Sequence, residues 1–334
     1  MRVTSVMMGK SYQINLNKTQ SALNDAATTM GNSRKFQRIA DDPAGAARAF
    51  QLRQEYSKLE SYKKNAENAQ GRLDTADTAL QDILTMLNSV KDRIVSAANG
   101  TWGPGDRPIM AEEIQATQKA ILQNLNLSFT GQYVFGGTQA GTPPLTIGAD
   151  GRLRFQGHPL EDDPSYYTNP PFFTDTMQDL MEQEVLVDFG FGINPAQSET
   201  GFDVSLSAAR FLGYGTDAAG MTNNLYNLLE DISTALDDPA FTQAAFGPYL
   251  DKFNEVHKNF LTNVTDMAAK SQTVNYTLNR VENSLLATAE KQNYVETVDP
   301  AKAVTDWKWQ EFAYRSALAI GQQILQPSLL DYLS

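Results

Sequence analysis

Residues 52–97 read LRQEYSKLESYKKNAENAQGRLDTADTALQDILTMLNSVKDRIVSA, and their apolar positions repeat every seven residues. One series has this step throughout: Leu52, Leu59, Ala66, Leu73, Leu80, Leu87 and Ile94. A second series occupies the complementary heptad position: Tyr62, Ala69, Ala76, Ile83, Val90 and Ala97. Alternating spacings of three and four predict one long helix with a coiled-coil-like seam. At the usual helical rise it would extend ~68 Å, so we expect a rod-like molecule.

The C-terminal half carries a matching seam. Its two series are Phe253, Phe260, Met267, Val274, Val281 and Thr288, and His257, Val264, Ser271, Leu278 and Leu285. Packing the two long helices together would bury both stripes, with Ile114, Ile121 and Leu125 of a third helix beside them. The expected rod seam therefore consists of Leu52, Leu59, Leu73, Leu80, Leu87, Ile94, Phe253, Phe260, Val264, Leu278 and Leu285. His257 lies in this stripe and is expected to be packed there, not to act as a ligand.

The middle of the chain differs in composition from both ends. Residues 131–215 are rich in Gly, Pro and aromatic residues, and short apolar runs at 185–187 and 189–191 are typical of strands separated by turns. Residues 131–250 contain 3 Lys and Arg against 16 Asp and Glu, so they hold all of the chain's acid excess. We interpret this region as a solvated β-rich insertion between helical ends.

Composition excludes several classes of function. The 334 residues carry a net charge of −12 and contain no cysteine and two histidines, His158 and His257. These features disfavour a general nucleic-acid partner, thiolate chemistry and histidine-rich metal sites. No run of 18 apolar residues predicts a membrane span, and the first ten residues lack the apolar core of a secretory signal.

Both ends of the chain carry short amphipathic patterns interrupted by polar and small residues. The first consists of Met8, Tyr12, Leu16, Thr19, Leu23, Ala26 and Met30, and the second of Val304, Trp307, Glu311, Tyr314, Leu318, Gly321 and Leu325. Isolated helices of this kind are marginal in water. We expect these segments to be ordered by packing against neighbouring molecules, although periodicity alone leaves open that they pair within one chain.

Several motifs at the two ends resemble a known family when taken in order. Near the start these are Arg2-Val3-Thr4, Asn15-Leu16-Asn17, Ala40-Asp41-Asp42-Pro43, Ala98-Asn99-Gly100-Thr101 and Gly131-Gln132-Tyr133-Val134-Phe135-Gly136-Gly137-Thr138. Near the end they are Ala317-Leu318-Ala319 and 324–333, ILQPSLLDYL. Together they are similar to the flagellin-related, hook-associated proteins of the bacterial hook–filament junction, the FlgL type. Trp307 and Trp309 are bulky departures from the family pattern.

The resemblance implies a mainly α protein with a β-rich insertion, a flagellin-like rod of long antiparallel coiled-coil-like helices carrying an outer β domain. It implies five parts: an N-terminal axial helix segment (1–40), N-terminal rod helices (41–134), the outer β-rich domain (135–215), C-terminal rod helices (216–298) and a C-terminal axial helix segment (299–334). The residues expected to act in axial assembly are Leu16, Leu23, Met30, Tyr314, Leu318, Leu325, Leu329 and Leu330.

The resemblance also implies a structural subunit, without cofactor, metal or catalytic site, that is exported by the flagellar type III system to the extracellular flagellum. Its implied partners are neighbouring copies of itself, the adjacent hook-associated junction protein, flagellin and a cytoplasmic export chaperone.

Three other functions compete with the junction role. A flagellin subunit is the nearest of them. An enzyme or calcium site could use the carboxylates at 161–163 or those of Glu182, Glu184 and Asp188, but their spacing matches no EF-hand loop. A secreted effector or adhesive coiled-coil protein is the third.

Overall fold

The computed structural model describes residues 2–98, 105–161, 177–190, 201–238 and 245–325. The chain divides into two compact units. The terminal unit consists of Met1–Glu60 and Asn283–Ser334, and the central unit of Ser61–Glu282.

Helices dominate the described residues. They are α1 (Arg2–Asn32), α2 (Pro43–Ala98), α3 (Arg107–Leu125), α4 (Met177–Glu182), α5 (Ala208–Leu212), α6 (Leu225–Asp237), α7 (Phe246–Glu296) and α8 (Pro300–Leu325). The strands are β1 (Ser128–Phe129), β2 (Gln132–Tyr133), β3 (Leu145–Ile147), β4 (Leu153–Phe155), β5 (His158–Pro159), β6 (Leu186–Val187) and β7 (Phe202–Asp203). The long helices and the β-rich insertion agree with the fold class expected from the sequence.

Two Asp-Pro pairs mark helix starts. Asp42 accepts a hydrogen bond of 2.9 Å from the Gly45 amide, and Asp299 accepts one of 2.9 Å from the Ala301 amide. Both prolines occupy the first helical position, where the missing N–H has no helical partner. At the third Asp-Pro pair, Asp238 follows the end of α6 and its proline lies outside the described residues.

In the central unit, α2 and α7 run antiparallel. Lys63 Nζ lies 2.8 Å from Glu282 Oε1, and Gln70 donates a 3.2 Å hydrogen bond to Ser271. One continuous core cluster extends from Ala66 to Val274 and includes α3 and α6. Helix α3 is joined to α6 by hydrogen bonds from Gln115 to Ser233 and from Gln118 to the Tyr226 carbonyl.

Short antiparallel sheets make up the β-rich insertion. Strands β1 and β2 form a hairpin, β3–β4–β5 form a sheet, and β6 pairs with β7. The β1–β2 and β4–β5 loops each hold two residues with positive φ, Thr130-Gly131 and Gln156-Gly157, as a tight two-residue hairpin requires.

One predicted strand is wrong. The run at 185–187 contains β6, but Phe189 and Gly190 lie outside any strand, and residue 191 is not described. Gly190 has φ +92°, and the Asp188 carboxylate accepts a 2.8 Å hydrogen bond from its amide. The polar residue and the glycine therefore form a turn, in which Phe189 is still fully buried.

His257 provides a test of packing in the central unit. Its ring stacks on Phe253 at 6.0 Å between centroids, and its Nε2 is buried without a hydrogen-bond partner. Burial lowers the pKa of His257, and the nearby Lys91 ammonium lowers it further. The folded state therefore favours the neutral ring. The neutral ring stabilises the folded state at pH values above the unfolded pKa of about 6.5, and this contribution is lost as the pH falls.

We expect the free energy of unfolding to decrease between about pH 7 and pH 5, because the unfolded chain takes up this proton more readily. Replacing the ring in His257→Leu should flatten that part of the profile in urea titrations. The exposed Thr262→Leu on the same helix should leave it unchanged. An unaltered slope in His257→Leu would show that another group controls it.

Candidate assembly surface

The two terminal helices pair within one chain. Helices α1 and α8 contact each other in the terminal unit. They run antiparallel, since the end of α1 lies beside the start of α8 and Tyr12 lies beside Gly321. Gly321 is buried, and a Cβ built there would collide with the ring and hydroxyl of Tyr12. The structure thus adopts the arrangement that periodicity left open, in which the chain's own ends pack together.

The residues expected to act in axial assembly lie in different environments. Leu16, Leu23, Met30 and Tyr314 are half-buried, whereas the Leu318 side chain is 40% exposed. The side chain of Leu325 is not described, and Leu329 and Leu330 lie outside the described residues. Their part in assembly stays a prediction.

The predicted rod seam is buried to different degrees along its length. Leu73, Leu80, Leu87, Ile94, Phe253 and Phe260 are fully buried, and Val264 is 8% exposed. Leu52, Leu59, Leu278 and Leu285 are only half-buried. Three of these four belong to the terminal unit, and Leu278 lies close to its boundary. The seam residues are therefore less buried in the terminal unit than in the central unit.

The terminal unit has almost no apolar core of its own. Among its described residues, Ala49 and Ala303 are the buried apolar side chains, whereas the extended core cluster lies in the central unit. Two small side chains contribute little to the free energy of folding, since hydrophobic stabilisation scales with the apolar area buried. This unit is therefore held by half-buried contacts.

Large apolar side chains are exposed mainly on this same unit. It holds twelve of the seventeen such residues in the described chain, although it is the smaller unit. They are Met7, Met8, Ile14, Ile39, Phe50, Leu286, Tyr294, Val304, Trp309, Phe312, Leu318 and Ile320. Exposed apolar residues concentrated in one region are typical of interaction sites.

Helix α8 carries a distinct aromatic patch, defined here as Val304, Trp309 and Phe312. The three side chains are 46%, 66% and 64% exposed, and the two rings meet edge to face at 6.3 Å. The sequence pattern included Val304, but it gave Trp309 no role in assembly and did not select Phe312, because it followed the helix face that continues the heptad seam. The available signal was the unusual bulk of Trp309.

The links between the helices are joined to each other. The segment between α1 and α2 is hydrogen-bonded to the turn between α7 and α8. The Lys35 amide donates to the Glu296 carbonyl at 2.8 Å, and the Val298 amide donates to the Ser33 carbonyl at 3.0 Å. The Lys35 ammonium lies 4.7 Å from the centre of the Tyr294 ring and bonds the Tyr294 carbonyl. These bonds hold the end of α1 next to the start of α8.

An ion pair supports this junction. Arg53 donates to both carboxylate oxygens of Glu296, at 2.7 Å from Nε and 2.5 Å from Nη2. The Glu296 side chain is 10% exposed and the Arg53 side chain 50%. The hydrogen bonds lower the pKa of Glu296 and raise the pKa of Arg53, so both groups stay charged at neutral pH.

Among the described carboxylates considered as catalytic or calcium-binding groups, Glu161, Glu182 and Asp188 have structural partners, and Glu184 is exposed. Glu161 lies 3.5 Å from Arg152, Glu182 accepts from Gln178, and Asp188 accepts from Gly190; residues 162 and 163 are not described. Within the described ranges, no group of three or more His, Asp or Glu is arranged to hold a metal ion. The same ranges contain no helix that is long and apolar enough to cross a bilayer.

Comparisons with known proteins agree with this fold. Residues 3–140 match the family described as bacterial flagellin N-terminal helical region. The chain is 24% identical to flagellar hook-associated protein 3 of Escherichia coli over 147 residues, 44% of this chain and 46% of that protein. It is 27% identical to phase 1 flagellin of Salmonella naestved over 209 residues, 62% of this chain and 37% of the relative. The chain thus spans less than half the length of these relatives.

A solved structure from Vibrio parahaemolyticus, described as a flagellar hook-associated protein, superposes with a TM-score of 0.59. It has 19% identity and covers 77% of this chain and 99% of its own. The N-terminal region is therefore similar to that of bacterial flagellin, and the fold is similar to that of a flagellar hook-associated protein. The resemblance to hook-associated protein 3, the FlgL type, is confirmed in sequence and in fold. These relatives are structural proteins, not enzymes.

Gly321→Ala should weaken the pairing of α1 and α8, because the added methyl group must displace the Tyr12 ring. Overpacking of this kind costs about 1–3 kcal/mol. Amide hydrogen exchange in both helices should become faster. Gly31→Ala is the control, since no atom lies within 4 Å of its added Cβ. Equal exchange in the Gly321→Ala variant and the wild type would contradict the Tyr12 contact.

Arg53→Met should destabilise the junction by about 1–2 kcal/mol, because it removes the guanidinium that donates to both oxygens of the buried Glu296 carboxylate. The expected loss is smaller than for a fully buried ion pair, because solvent screens the half-exposed Arg53 side chain. Local hydrogen exchange at the amides of Lys35 and Val298 should report the loss. Lys58→Met removes the same charge from an exposed position of α2 and should change neither amide. If the two variants behave alike, the ion pair does not hold the junction.

Proposed function

We propose that this chain is a structural subunit at the junction between the flagellar hook and filament, assembled through its terminal unit. The observation that carries the proposal is the concentration of exposed apolar side chains on a unit that has almost no core. The similarity to hook-associated protein 3 supports a place in the flagellum.

The energetics of the aromatic patch favour a partner. Aromatic side chains bury about 150–250 Å² each when covered. With roughly two thirds of each ring still exposed, covering Trp309 or Phe312 would contribute about 3 kcal/mol per residue. Neighbouring subunits can supply that cover, so that assembly completes the burial that one chain leaves unfinished.

The five-part division proposed from the sequence gives each part a role. Residues 1–40 and 299–334 form the axial segments, 41–134 and 216–298 the rod helices, and 135–215 the outer domain. Export through the flagellar type III system suits a chain without disulfides. The proposed partners are further copies, the adjacent junction protein, flagellin and an export chaperone.

Two other functions have less support. The flagellin match covers more of this chain than the hook-associated match, but a solved structure that resembles most of this chain is described as a hook-associated protein. A flagellin should polymerise extensively alone, whereas a junction protein should require a hook end. An adhesive role would use the outer domain and would not require the exposed helix faces.

Complementation of a strain that lacks the gene tests this function. The deletion should abolish swimming and release flagellin into the medium, and the wild-type protein should reverse both effects. Normal filaments in the deletion strain would refute the junction role.

Point variants in the same strain test the surface. Trp309→Ser combined with Phe312→Ser should fold normally, since both residues are exposed, but should restore swimming poorly. Tyr276→Ser is the control, because it removes a 67% exposed aromatic ring from the central unit. Full swimming with the double variant would remove the aromatic patch from the assembly surface.

A further inference from the structure

An open groove of about 570 Å³ lies between α2 and α7 in the terminal unit, and every residue that lines it belongs to one of these two helices. Its apolar lining consists of Leu52, Tyr294 and Val295. Leu52 begins the heptad series of α2, and Val295 continues that of α7, seven residues after Thr288. Both are half-buried. The groove is therefore the uncovered end of the heptad seam.

In the central unit the same two heptad series are covered by a further helix. Leu73 of α2 and Phe253 of α7 are fully buried there. Helix α3 lies beside α2, with Arg93 Nε 3.0 Å from Glu113 Oε2, and its Ile114 belongs to the same core cluster. A third helix thus buries a seam that two helices leave open. The groove in the terminal unit has the seam for such a helix but not the helix.

The charged residues along the groove select for an apolar occupant. Arg48 and Lys291 line it together with Glu55 and Glu290. Two cations and two carboxylates give this lining no net charge, so it attracts neither a strongly acidic nor a strongly basic helix. The apolar seam then determines which helix face fits.

The aromatic patch on α8 is such a face. Val304, Trp309 and Phe312 are spaced by five and three residues, which places them on one side of the helix. In the single chain the groove is open and the patch is exposed, so the chain does not fill its own groove with its own patch. The exposed face of α1 offers Met8 and Ile14 but no aromatic ring. The two rings of α8 would bury more apolar surface.

We propose that α8 of a second copy lies in this groove, with Trp309 and Phe312 against Leu52 and Val295. The inference rests on the proposed function and names the surface that covers the aromatic patch. Since groove and patch are different surfaces, the contact is heterologous and repeats from copy to copy. A contact of so few side chains is weak between free chains, and it forms where a hook end holds the copies side by side at high effective concentration.

Crosslinking in assembled flagella tests this contact, because the chain has no cysteine of its own. The deletion strain produces two single-cysteine variants together, Gln51→Cys in the groove and Thr305→Cys beside the patch, both at exposed positions. The isolated flagella are treated with a short bismaleimide. An immunoblot should show a band at twice the mass of the chain, because the thiol of one copy lies within reach of the thiol of the next. Either variant produced alone should give no such band.

Ser11→Cys is the matched control, since it places an exposed thiol one turn from Ile14 on α1. Produced with Gln51→Cys, it should give no dimer. A dimer with Ser11→Cys, a dimer from one variant alone, or no dimer with Thr305→Cys would each overturn the inference. Glu55→Cys lines the same groove and replaces Gln51→Cys if that variant does not reach the flagella. Absence of the wild-type protein from isolated flagella would refute the proposed function, whereas its presence without the dimer refutes this contact alone.

Discussion

The terminal unit carries more apolar surface than two paired helices can bury. A helix pair has one line of contact, so each helix covers one stripe and exposes its remaining faces. Leu16 and Tyr314 are half-buried on the described helices, while Ile14 and Trp309 stay more than half exposed. No rearrangement of the pair alone could cover both sets. Under the proposed function, neighbouring subunits cover the second set.

The central unit shows what additional helices change. There α2 and α7 continue the same heptad pattern, but α3 and α6 join them, and Leu73 and Phe253 are fully buried. In the terminal unit the same series reaches Leu52 and Leu59, which are half-buried. The residue types are alike, so the number of helices around the seam, and not its hydrophobicity, sets the degree of burial.

This distinction also explains how much could be predicted from the sequence. A seven-residue period identifies a helix and its apolar face, and the Asp-Pro pairs identify where α2 and α8 begin. Helices α2, α7 and α8 can therefore be predicted from local rules. Periodicity does not identify the partner of that face, and it left the pairing of α1 with α8 open. It also cannot find an interaction surface on the opposite face, as the exposure of Trp309 shows. The β-rich insertion escapes prediction for another reason, because its strands are two or three residues long, too short for an alternating pattern to separate them from turns.

Polar contacts compensate for the small core of the terminal unit. The backbone bonds of Lys35 and Val298, together with the Arg53–Glu296 pair, are directional, so they fix geometry where apolar packing is weak. Hydrophobic contacts are non-directional and can be supplied by any apolar partner of suitable shape. A unit built in this way holds its helices in position through hydrogen bonds, and its exposed apolar side chains stay available to a partner.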